Sequence, residues 1–149
     1  MMPLGSNNGN QILQAPGVVV IRNEMIHETR IVPLGGRPHV GAGVRSYMGD
    51  SRGSWQGNTL VVETTHFNGK DTLTMLSERA RLIERFTRVD DTTLQYQVTV
   101  DDPRTYTRTW TMAFPLRRDS SYYVFEYACH EGNYVNMTSM LAAARLEDK

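Results

Sequence analysis

The chain has 149 residues, 40% of them hydrophobic and 21% charged, which suits one domain, 1–149, with a core of its own. Its 16 basic and 16 acidic side chains cancel, which argues against a general electrostatic nucleic-acid binder. A single cysteine, Cys129, excludes an intrachain disulfide and a cysteine-based zinc site, and no apolar run approaches the ~20 residues that a membrane helix needs.

The start, MMPLGSNNGN, is polar and lacks the basic and apolar stretches of a signal peptide, so residues 1–10 read as a frayed or processed end. Gln11 to Gln14 reads as a first strand, closed by the turn residues Ala15-Pro16-Gly17. Val18 to Met25 and Ile26 to Leu34 read as the next two strands, with a bend over Asn23 to His27. Pro38 to Gly49 has three glycines and no strict period, and is expected to be a long loop. The clearest signal follows in Gly53 to Phe67. Trp55 precedes a Gly57-Asn58 turn, and Thr59 to Thr65 is nearly all β-branched, which suits a pleated surface.

Asn68 to Leu76 is a second loop, and Arg81 to Val89 a strand. Thr93 to Val100 alternates cleanly, with Leu94, Tyr96, Val98 and Val100 on one face. Thr105 to Phe114 alternates too, placing Tyr106, Arg108, Trp110, Met112 and Phe114 together. Pro115 to Ser121 reads as a turn and Tyr122 to His130 as the last strand. Asn136 to Leu146 has apolar residues at helical spacing. Eight or nine short strands joined by hairpin-length connections predict an all-β, antiparallel meander. It is expected to close into a lipocalin-like barrel with the C-terminal helix outside it or across one end; the alternative is a two-sheet β-sandwich.

Titratable residues recur at the predicted strand ends. Glu24, His27, Glu28 and Arg30 cluster at the junction of two strands, where burial would push Glu24 toward its neutral form and Arg30 would oppose that. His27 has the right chemistry for a general acid or base, although a charged surface hairpin would look the same. Glu126, His130 and Glu131 lie at a predicted rim, with Glu126 and His130 on one side of the strand; a strand-end His beside the following helix is the plain alternative. Arg108, on the aromatic face, needs a partner such as Glu84 or Glu63 if buried, or clamps an anion in a pocket. Arg37, His39, Tyr47, Asp50 and Arg52 form a rim or lid candidate in the long loop. The four histidines are scattered, with no HxH or HExxH, and no P-loop, GxGxxG or GxSxG occurs, so neither metal nor cofactor is expected.

The strings NEMIHETRIVPLGGRPH, GDSRGSWQGNTLVVETTHF, ERFTRVDDTTLQYQVTVDDP and FEYACHEGN span most of the chain and resemble a family of uncharacterised bacterial proteins frequent in soil organisms. Members of that family are longer at the N-terminus and often begin with an export signal. The resemblance therefore implies a C-terminal domain of a longer, periplasmic or secreted precursor. It implies no catalytic residues.

The function expected from the residues is a cofactor-free acid–base enzyme, a hydrolase or lyase acting on a small organic substrate in a barrel cavity. Glu24, His27, Arg30, His130 and Glu131 are its catalytic candidates, and Tyr47, Trp55, Tyr96, Arg108 and Trp110 its substrate-binding ones. The alternative is a lipocalin-like binding protein with the same cavity and no turnover; a third is a structural domain. The expected partner is a small molecule, not nucleic acid or membrane. Oligomeric state stays open, with a homodimer among the options.

Overall fold

The computed structural model describes residues 8–25, 28–70, 75–126 and 132–147. Among these residues eight strands are present: β1 (Asn10–Ala15), β2 (Val18–Asn23), β3 (Thr29–Pro33), β4 (Asp50–Gln56), β5 (Thr59–Thr65), β6 (Arg81–Arg88), β7 (Thr93–Asp101) and β8 (Trp110–Arg117). A helix, α1 (Tyr134–Glu147), follows. Every strand pairs antiparallel with its sequence neighbour except β3 with β4.

That one break decides the architecture. β1–β3 form a three-stranded sheet and β4–β8 a five-stranded one, and neither closes. The expected lipocalin-like barrel is therefore wrong, and the two-sheet alternative is the arrangement found. Residues 34–49 separate β3 from β4 and are too long and glycine-rich to impose a hairpin ladder, so the two edges touch without pairing.

Period-two alternation sets which side chains meet between the sheets. Val19, Ile21, Arg30 and Val32 face inward from the small sheet, and Leu60, Val62, Thr64, Glu84, Phe86, Tyr96, Val98 and Val100 from the large one. The register agrees: Val19 lies opposite Val32, and Ile21 opposite Arg30. Gly53 marks a close approach of the two sheets. A Cβ there would sit 2.7 Å from the Leu34 side chain and 2.8 Å from that of Val32, so only glycine lets β3 lie this near β4.

Two strand expectations need correction. Thr105 to Thr109 is not strand, because Asp102 folds the chain into a turn. The buried Asp102 carboxylate accepts hydrogen bonds from the Ser77 backbone N–H (2.7 Å) and hydroxyl (2.5 Å), from the Thr105 hydroxyl (2.7 Å) and from the Arg104 N–H (3.2 Å). Conversely, β8 runs on through Pro115 to Arg117, which an edge strand tolerates because the proline's missing N–H interrupts a ladder on one side alone. Of the expected last strand, Tyr122 to Glu126 is irregular, and the rest lies outside the described residues. The helix is present, but its described side chains are exposed, including Met140 and Leu141, so it is not packed on the sheets as expected. No described helix is long and apolar enough to cross a membrane.

Candidate functional site

Three polar or concave regions stand out. The first fills one half of the space between the sheets. Arg30, from β3, reaches across to Glu84 on β6 with two bonds, Nη1 to Oε2 at 2.5 Å and Nη2 to Oε1 at 3.0 Å. The Tyr96 hydroxyl, from β7, donates to Glu84 Oε1 at 2.8 Å. All three residues are buried. Burial alone would neutralise Glu84, but the guanidinium and the two kinds of hydrogen bond prevail and hold its carboxyl below the usual range. Burial, followed by the Glu84 charge, pushes the Tyr96 phenol well up, so it remains a donor. Such a network fixes strand register and offers no surface to a ligand.

The second region is a cleft of about 1280 Å³ in the other half. Ile12 and Gln14 of β1 stand on one side, and Leu94 of β7 with Phe114 and Leu116 of β8 on the other. Its apolar floor includes Leu60 and Phe86; Trp55 stands at its border, beside Arg88, Arg117 and Arg118. The cleft exists because β1 and β8 do not pair, leaving the inner faces of both edges uncovered. Tyr122 closes one end, its hydroxyl donating to both Glu24 oxygens at 2.7 and 2.8 Å. Glu24 also accepts the Gly9 N–H at 3.0 Å, in a space so tight that a Cβ on Gly9 would overlap its carboxylate.

The third region lies at the far end of the β4–β5 hairpin, about 17 Å along β4 from Trp55 at the usual strand rise. The loop 38–49 is pinned there. Ser46 bridges to Phe67, its N–H donating to the His66 carbonyl at 3.1 Å. Gly49, at φ 67°, packs so close to β5 that a Cβ would fall 2.4 Å from the Thr65 carbonyl oxygen. The pinned loop sets His39 Nδ1 2.7 Å from Asp50 Oδ2, which also accepts the Val40 N–H at 3.1 Å. Arg52 donates to Asp50 Oδ1 at 2.7 Å. Partial burial works against ionisation of Asp50, but the bonds from His39, Val40 and Arg52 outweigh it and lower its pKa. The carboxylate is then purely an acceptor, so the hydrogen of this bond sits on His39 Nδ1. The Nε2 of the same ring is buried and has no hydrogen-bond partner among the described residues. The ring of His66 stacks near it, centroids 5.6 Å apart and planes at 24°. His66 adopts φ 61°, and its Nδ1 is hydrogen-bonded to the Thr65 hydroxyl at 2.7 Å.

The residues named from sequence scatter over these regions. Arg30 and Tyr96 belong to the buried network, Glu24 to the cleft's end and Trp55 to its border. Arg108 is exposed on the turn before β8, not on a buried aromatic face; of its expected partners, Glu84 pairs with Arg30 and Glu63 with Arg81. Trp110 is half-buried against Tyr106, and Tyr47 is exposed on the loop. His27, His130 and Glu131 lie outside the described residues, as does Cys129. His39, Asp50 and Arg52 do come together, whereas Arg37 is exposed. Sequence reasoning named Glu84 as a partner for Arg108 and not for Arg30, and it missed His66 as a site residue and the cleft wall of Leu94, Phe114 and Leu116. The alternation of β7 was the one available signal for that wall, since it put Leu94 on the inner face.

Comparisons with protein families, with curated proteins and with solved structures give no match. The geometry alone therefore carries any functional reading.

Proposed function

We propose that this chain binds a small organic molecule with an apolar body and an anionic group in the cleft between its two sheets. The carrying observation is the cleft itself: an apolar floor between two unpaired strand edges, lined also by Trp55, three arginines and three aspartates, of which Asp91 is bonded by Arg88, Asp90 by Thr92 and Asp119 by Ser121. Arg88 is engaged by Asp91, whereas the guanidinium groups of Arg117 and Arg118 have no carboxylate partner among the described residues. An anionic head would be met by these two, and its body by Leu94, Phe114 and Leu116. At about 1280 Å³ the cleft exceeds the ~300–1,000 Å³ typical of ligand pockets, so it suits an elongated occupant.

Binding without turnover is favoured over acid–base catalysis by where the titratable groups lie. Among the described residues imidazole and carboxylate meet at His39 and Asp50, at the far end of the β4–β5 hairpin from the cleft border. The test is titration with an anionic aromatic fluorophore, anilinonaphthalene sulfonate, followed by displacement with decanoate and with decanol. Leu116→Glu is expected to weaken the probe at least tenfold. Replacing Arg117 and Arg118 together by Gln should weaken decanoate and leave decanol unchanged. Equal binding to all variants would refute the reading.

A further inference from the structure

The far end of the β4–β5 hairpin carries a second, independent site. His39, Asp50 and His66 each offer one ligand atom, and the three atoms lie within 4.8 Å of one another. We propose that these residues bind a divalent first-row transition metal. Two imidazoles and one carboxylate are a donor set that zinc, cobalt or nickel accepts, and three protein ligands leave coordination positions for water.

Several features prepare the site. The rings are held near-parallel, and loop 38–49 is fixed over the end of β5 by Ser46 and by the close approach of Gly49. His39 Nδ1 and Asp50 Oδ2 already face each other at 2.7 Å, and the metal would take the place of the hydrogen between them; His66 is oriented through its Nδ1 by the Thr65 hydroxyl, which is how outer partners set metal-ligating rings. Arg52 holds the second oxygen of Asp50, so the carboxylate offers one oxygen and its charge is shared. Metal–ligand bonds of ~2.0–2.2 Å place tetrahedral ligand atoms about 3.4 Å apart, whereas His39 Nδ1 and Asp50 Oδ2 stand 2.7 Å apart and the three ligand atoms lie within 4.8 Å of one another, so they must shift on binding. The shared carboxylate and this shift both weaken binding relative to a structural zinc site, and micromolar affinity is expected. Partial exposure of His39 and Asp50 leaves the metal open to solvent on one side.

Cobalt(II) tests the proposal, because its visible d–d absorption reports coordination geometry. The unaltered protein is expected to bind one Co²⁺ per chain, displaceable by Zn²⁺, with the proton NMR signals of the His39 and His66 rings shifted or broadened first. His66→Asn removes one ligand and keeps the backbone comfortable, since Asn tolerates φ near 60°. Its metal-free thermal midpoint should match that of the parent, while its Co²⁺ affinity falls at least tenfold. Asp50→Asn should weaken Co²⁺ as well. No Co²⁺ uptake at millimolar metal, undiminished affinity in both variants, or first broadening at other histidines would each overturn the assignment. The ring-proton measurement needs no variant, so it stands even if a substitution impairs folding.

Discussion

The space between the two sheets has two halves built on opposite rules. In the closed half β3 presses on β4 at Gly53, and Arg30 and Tyr96 bond Glu84 across the gap, with the Arg30 Nε left without a partner among the described residues. In the open half β1 and β8 leave their inner faces apart, and the walls are apolar side chains without an opposite layer. A buried charge is thus no sign of a ligand site here: both Nη atoms of Arg30 and the Tyr96 hydroxyl are taken up by Glu84. The unfinished apolar layer is the part with capacity left.

The sharpest way to break this comparison is to disarm the closed half. Glu84→Gln leaves the Arg30 guanidinium buried without a counter-charge and should cost about 3–5 kcal/mol in denaturant unfolding. Replacing Arg30 by Met and Glu84 by Leu together should recover most of that loss, because the pair's own desolvation cost disappears with it. If the double variant is as unstable as the single one, the pair contributes net stability and not only register. Next in size is Gly53→Ala, whose Cβ meets Leu34 and Val32; overpacking of this kind costs about 1–3 kcal/mol. Tyr96→Phe removes a bond to a carboxylate and should cost about 1.5–3 kcal/mol at most, read by the same unfolding curves. In the open half, Leu116→Glu should change stability by about 1 kcal/mol or less while abolishing binding, the reverse of the pattern in the closed half.

Acid should separate the halves as well. Glu84, Asp102 and Asp50 all have folded-state pKa values below their ordinary ones. Their contribution is therefore complete above the unfolded carboxylate pKa of about 4 and is lost as pH falls through the lower folded values. Stability from these groups should be flat between about pH 5 and 7 and drop below about pH 4. Glu84→Gln should flatten that drop, whereas Leu116→Glu should not.

Much of the fold was legible because alternation is a local signal. β5 and β7 lie where their β-branched and alternating residues place them, and Leu94, Tyr96, Val98 and Val100 do share the inner face. Closure was not legible. It depends on whether β3 and β4 pair, and strand count says nothing of that; the length of residues 34–49 was the available warning. Tyr96 looked like a cavity wall for the same reason that it is core, since period two gives the face and not what covers it. Arg108 was misplaced because the alternation continues through a turn that Asp102 imposes from outside the pattern. His39, Asp50 and Arg52 were recognisable as a group from their shared loop. His66 was not, because it joins them through a tertiary contact and a left-handed backbone that no spacing announces.

Fluorescence of Trp55 in a Trp110→Phe background tests the central claim most directly, since Trp55 stands at the cleft border and Trp110 does not line it. Saturating decanoate should shift the Trp55 emission with a single binding isotherm, and Leu116→Glu should abolish that shift while the protein stays folded. Emission that stays fixed while the ligand binds would place the ligand elsewhere and contradict the account.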